Sequence, residues 1–188
     1  LGTTTVHTAT ITNDEAAPLV TLTFEFPTIE EKTTGRVTTK IIATLETLSN
    51  LPVTVNLKTG GDAKALSGTT TDYTFTNAVI NIPAGSPSGF VTLTTVNDSL
   101  NEFPETVTVE IDTVTLGKEK DEQKVTVTIE DNDPIPSISL EVATLILNEE
   151  VATTGTTTTT VTAKLSEVSG KDVKVTLVLT GSTATRSV

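Results

Sequence analysis

Six carboxylates in this chain fall at the ends of alternating apolar segments rather than along their faces: Glu31, Asp72, Asp98, Glu102, Asp131 and Asp133. Acids placed in this way can gather a hard cation. Two carboxylates about 5 Å apart repel by about 3 kcal/mol at an effective dielectric near 20, so a converging set calls for a positive partner. Oxygen ligands without His or Cys select Ca2+ over zinc or copper, and a flexible loop site favours Ca2+ over Mg2+. Other chemistries lack their residues. Cys is absent and His7 is the single histidine, which removes thiolate metal sites, a Cys nucleophile and most general acid–base arrangements. Glu102 and Glu105 could pair as in a glycosidase, but five Phe and one Tyr cannot line a sugar cleft. The chain is therefore expected not to be an enzyme.

The elements that must position these acids are strands. Of 188 residues, 44 are Thr, 21 Val and 11 Ile, all stiff at χ1 and suited to a pleated sheet. Val37, Thr39, Ile41, Ala43 and Leu45 alternate with polar neighbours, as do Val53, Val55 and Leu57. The same period of two runs through Val107, Val109 and Ile111 and through Val125, Val127 and Ile129. Strands are predicted near 19–26, 36–46, 52–58, 74–82, 89–96, 105–114 and 122–130. Seven short strands with one apolar and one Thr-rich face predict an all-β, immunoglobulin-like, seven-strand β-sandwich. In such a sandwich the connections after strands one, three and five, and the end of the last strand, share one pole. The spacing therefore brings all six acids together there.

Charge and composition exclude other classes. With 12 basic against 24 acidic residues the net charge is −12, which offers no footprint for nucleic acid. Apolar runs fall far short of the roughly 20 residues of a membrane span, so no membrane insertion is expected. A chain without Met is read as a segment of a longer product.

The sequence also repeats itself. Ile11 to Leu22, with an acidic cluster and a Pro between them, recurs as Ile129 to Leu140 at an offset of 118. Val37, Ile41, Ala43 and Leu45 recur as Thr157, Val161, Ala163 and Leu165 at an offset of 120, and 52–57 recurs as 172–177. This divides the chain into residues 1–17, the terminal strand of a preceding repeat; 18–133, a complete domain; and 134–188, the first half of a following domain with about three strands.

The complete unit resembles a Calx-β domain, a calcium-binding module common in large bacterial surface proteins. The resemblance rests on Ile29-Glu-Glu31 before Gly35, Thr71-Asp-Tyr73, Ile82-Pro-Ala-Gly85, the Asn97-Asp98 … Glu102 … Glu105-Thr-Val107 run and Val125 to Asp133. It implies that Glu31, Asp72, Asp98, Glu102, Asp131 and Asp133 are the calcium ligands, with Glu149 the counterpart of Glu31 in the next unit. The family often has two Asp where this chain has Asn97-Asp98, and three acids where it has Asp131-Asn132-Asp133. Fewer charges imply one ion rather than two. The resemblance implies a tandem array in an extracellular or bacterial cell-surface protein, where the module stiffens a stalk or matrix fibre and its partners are neighbouring repeats. Two alternatives are a self-assembling filament built by β-strand complementation and an adhesin module that binds glycan or protein.

Overall fold

Strict alternation of apolar and Thr-rich positions gives strands with two unlike faces, and two such sheets can bury their apolar sides only against each other. The computed structural model describes residues 7–10, 12, 14–32, 35, 37–64, 71–145, 147 and 158–181. Among these residues there is no helix. In chain order the strands are β1 (Leu19–Phe24), β2 (Thr28–Glu30), β3 (Thr38–Leu45), β4 (Val53–Gly61), β5 (Tyr73–Phe75) and β6 (Val79–Ile82). They continue with β7 (Ser88–Thr95), β8 (Glu105–Thr115), β9 (Lys118–Glu119), β10 (Lys124–Glu130), β11 (Ile138–Val142) and β12 (Val161–Leu165).

Ten of them form an immunoglobulin-like β-sandwich. One sheet has the order β5-β7-β3-β1-β9 and the other β2-β10-β8-β4-β6. Pairing is antiparallel except for β1 with β9 and β2 with β10, which are parallel. The core lies between the sheets. Val20, Ile41, Val53, Val55, Ile80, Ile82, Leu93, Val107, Val109 and Val127 have no exposed surface. Thr and charged side chains take the outward positions, with Lys124 and Lys58 both paired to Glu110 across neighbouring strands.

One predicted strand divides, and just beyond another lies a short strand, β2, that was not predicted. The stretch 19–26 ends as β1, and Ile29 then joins the other sheet as part of β2. Likewise 74–82 is β5 in one sheet and β6 in the other. Parity explains both. Val20 and Leu22 face inward at even positions and Ile29 at an odd one, while Tyr73 is buried at an odd position and Ile80 and Ile82 at even ones. A continuous strand turns every second residue the same way, so the chain must cross between sheets to keep both sets in the core.

Gly61 closes β4 opposite Val107. Its φ of +106° lies in the left-handed region, and a Cβ there would stand 2.1 Å from the Thr106 carbonyl oxygen. Gly61→Ala is expected to cost roughly 1–3 kcal/mol, read from the urea midpoint.

β11 and β12 pair antiparallel apart from the sandwich, and their register copies that of β1 and β3. Ile138 faces Leu165 and Leu140 faces Ala163, as Val20 faces Leu45 and Leu22 faces Ala43. The Thr159 hydroxyl accepts from Thr144 N and donates to Thr144 O, as the Thr39 hydroxyl does with Phe26. Residues 172–177, predicted as a third strand here, form none. Their counterpart β4 is held between β8 and β6, and no described residue offers 172–177 such neighbours. The terminal strand predicted within 1–17 is likewise absent from the residues described there, 7–10, 12 and 14–17.

Candidate metal centre

The strand ends are tied together by the backbone, and the acids follow from those ties. Glu31 leaves β2 and donates its N–H to the Glu130 carbonyl (2.9 Å), which sets it beside the end of β10. Asp131 and Asp133 continue from that same end. Asp72 precedes β5, and its carbonyl accepts from Val96 N (2.9 Å) just past β7. The Thr95 hydroxyl donates to the Glu30 carbonyl (2.8 Å), joining β7 to β2 across the sandwich. Asp98 and Glu102 lie on the loop between β7 and β8, where the Asp98 carboxylate accepts from Leu100 N (2.8 Å).

Glu31, Asp98 and Glu102 each place a carboxylate oxygen within 4.8 Å of the other two. Glu31 is only 4% exposed, and its Oε2 is buried without a hydrogen-bond partner. Asp72, also buried, holds the Lys64 N–H and lies close enough to act on Glu31 and Glu102 through its charge. Asp131 accepts from Asn101 Nδ2 and Glu102 N, both at 3.0 Å. Its second oxygen accepts from Asp133 N (3.0 Å), and Asp133 keeps one oxygen buried and unpartnered. Geometry thus brings three of the six acids together, Glu31, Asp98 and Glu102, while Asp72, Asp131 and Asp133 lie outside that group and act on it through charge. Glu149 lies outside the described residues.

The titration behaviour reflects this crowding. Burial, then the charges of Asp98, Asp72, Glu102 and Asp131, push the Glu31 carboxyl up to about 8. Glu102 rises from the same two causes, burial first and then Asp98 and Asp72. Asp133 rises through burial, Asp131 and Asp98.

Three further residues belong here. Burial and a hydrogen bond with Asp72 push Glu105 up to about 8. Its signal was its place at the mouth of β8, in register with Ile129, itself two residues before Asp131. Asn101, nearly fully buried, donates to Asp131 and also to the Asp133 carbonyl (2.9 Å). Its Oδ1 accepts from Lys171 Nζ (3.1 Å), whose ammonium also lies 4.7 Å from the centre of the Phe103 ring. Neither Asn101 nor Lys171 carries a sequence signal, because each acts through a partner remote in the chain.

Buried carboxylate oxygens without a hydrogen-bond partner are costly as they stand. The arrangement can neutralise them by taking up protons or by taking up a hard divalent cation.

No family model matches this chain, and no curated protein matches it. Among solved structures it is similar to the apo form of the Calx CBD1 domain, at 20% identity and a TM-score of 0.47, over 61% of this chain and 99% of that one. It is similar to CBD12 from CALX1.2 at 20% identity and a TM-score of 0.47, over 60% of this chain and 44% of that one. A two-domain protein of unknown function from Bacteroides fragilis matches at 12% identity and a TM-score of 0.44, over 68% of this chain and 55% of that one. The strand order and the buried core between the two sheets define the fold.

Proposed function

We propose that the acidic pole is a calcium site and that the chain is a structural calcium-binding module of a large extracellular or bacterial cell-surface protein. One observation carries the reading: Glu31 Oε2 is buried, has no partner, and sits on a residue whose carboxylate lies within 4.8 Å of Asp98 and Glu102. Glu31, Asp98 and Glu102 would hold the ion directly, with Asp72, Asp131, Asp133 and Glu105 close by. No His or Cys competes, and the all-oxygen set suits Ca2+.

Calcium would act as a staple at the end of the sandwich. It joins the exits of β2 and β10 to the loop between β7 and β8, so the neutralised loops lose their mutual repulsion. The following segment rests on this same loop: Gly170 N donates to the Asn101 carbonyl (3.2 Å), and Asn101 pairs with Ser169. An ion there stiffens the connection to a neighbouring repeat, as a stalk or matrix fibre requires. The partners of this reading are neighbouring repeats of the same chain. Nucleic acid is disfavoured by the net charge of −12, and no helix among the described residues is long and apolar enough to cross a membrane.

Extracellular calcium modules bind at roughly 10⁻⁴–10⁻³ M. Calcium at about 100 times the dissociation constant stabilises the fold by about 2.7 kcal/mol through mass action. Calorimetric titration should show saturable uptake of Ca2+ and little heat with Mg2+, with a higher melting temperature in Ca2+ than in EGTA. A melting curve indifferent to EGTA would overturn the assignment.

A further inference from the structure

Lys32, Lys40, Lys58, Lys120, Lys124 and Lys164 each lie in an ion pair with a carboxylate. Lys171 meets an amide instead. Its Nζ donates to Oδ1 of Asn101 at 3.1 Å, and the Phe103 ring, its centre 4.7 Å away, covers the ammonium on one side. Both groups are sheltered: Asn101 is 6% exposed and Lys171 is half-buried. The contact is set from the backbone. Gly170 N donates to the Asn101 carbonyl (3.2 Å), Asn101 and Ser169 form a bridge, and the Ser169 hydroxyl accepts from Lys171 N (3.1 Å). The approach is close enough that a Cβ on Gly170 would stand 2.5 Å from Glu102 Cγ.

The orientation of the amide follows from its partners. Nδ2 faces two acceptors, the Asp131 carboxylate (3.0 Å) and the Asp133 carbonyl (2.9 Å), so Oδ1 is the atom that faces the amine. An amine, an amide and a carboxylate thus stand in a row, with Lys171 on the oxygen side and Asp131 on the nitrogen side. Amines displace ammonia from amides only slowly when both are free in water. Held together in one fold, the pair reacts as a single molecule and the entropy of encounter is already spent. A carboxylate hydrogen-bonded to the nitrogen that must leave stands where a proton carrier is needed.

We propose that Lys171 and Asn101 join through an isopeptide bond, with Asp131 carrying the proton. Lys171 gives one proton to water, and the free amine attacks Cγ of Asn101. The Nζ–Cγ bond forms and an electron pair moves onto Oδ1. Nζ and Nδ2 are then on the same carbon, and Asp131 moves a second proton from the first nitrogen to the second. The carbonyl re-forms, the Cγ–Nδ2 bond breaks, and ammonia leaves and takes up the proton first given to water. In sum, an ammonium group and a primary amide become a secondary amide and an ammonium ion. Nothing is oxidised or reduced, and Asp131 ends as it began. The bond links positions 70 residues apart and ties the loop between β7 and β8 to the segment after β12. A pull on the two ends of the chain then bypasses everything between them. No ion takes part, so the bond stands or falls apart from the calcium reading.

The test is a tryptic map, by mass spectrometry, of the full 188-residue chain after prolonged incubation in EGTA. The bond blocks cleavage after Lys171, so peptide 165–174 should appear joined to peptide 65–118, lighter by one ammonia than the two together. Lys171→Arg keeps the charge and should release 65–118 by itself, with the far-UV circular dichroism of the sandwich unchanged. Asp131→Asn should slow accumulation of the joined peptide by about 100-fold or more, the usual share of a proton carrier. Complete cleavage after Lys171 in the wild type, or loss of ammonia from 65–118 alone through closure on its own backbone, would overturn the proposal. So would an Asp131→Asn chain that joins at the wild-type rate.

Discussion

Replacing Glu31 by Gln should raise the melting temperature of the calcium-free protein and remove its response to calcium. Glu31 sits at about 8 in the folded chain against 4.5 for a free glutamate, with burial the leading cause and the surrounding acids next. A carboxyl raised in this way binds more protons folded than unfolded between those two values. Stability of the calcium-free protein therefore falls as the pH rises from about 4.5 to about 8, and is highest at the acidic end of that window. At pH 7 this group costs the fold up to about 3 kcal/mol, at 1.36 kcal/mol per unit. A neutral amide of the same shape would remove that cost and still fill the space, so a rise on the order of 10 °C is expected for a domain of this size. It would also deprive the ion of its most buried oxygen. Thermal melts of both proteins at pH 5 and pH 8, in Ca2+ and in EGTA, give the comparison. Wild type should lose stability from pH 5 to pH 8 in EGTA and keep most of it in Ca2+. Glu31→Gln should show a shallower dependence in both.

Asn101→Ala should weaken calcium binding by about 10- to 100-fold with a much smaller effect on the melting temperature in EGTA, the size of effect that residues orienting metal ligands commonly carry. Asn101 does not offer a carboxylate. It holds Asp131 and the Asp133 carbonyl with its amide nitrogen, and receives Lys171 on its oxygen. Without it Asp131 retains Glu102 N but loses the amide that fixes its direction. Lys171 loses its acceptor as well, so the segment 169–171 should show faster hydrogen exchange in the variant. Isothermal titration measures the first effect. An unchanged affinity would show that Asp131 is oriented by its other bonds alone.

The strand content was legible along the chain. Alternation is a local property: Val53, Val55 and Leu57 face one way whatever partner they meet, and all are buried as their spacing implies. The acids at segment ends were equally visible, because a carboxylate excluded from a strand face must sit in a loop. The likeness of residues 11–57 to 129–177 along the sequence is accompanied by matching registers in β1–β3 and β11–β12.

Pairing was decided elsewhere. Whether 74–82 is one strand or two depends on which neighbours flank it, β7 for Tyr73–Phe75 and β4 for Val79–Ile82, and neither lies next to it in sequence. The same nonlocality left residues 172–177 without a strand although their alternation equals that of β4, since a ladder needs a second chain segment to receive its hydrogen bonds. Glu105 and Asn101 entered the site by the same route. Their roles come from what lies across the fold, Asp72 for one and Asp131 with Lys171 for the other, and only closure of the sandwich sets those distances. Residue type and spacing determined which groups could hold a cation; the crossing of β2 to the second sheet, with Ile29 buried, set Glu31 beside the end of β10.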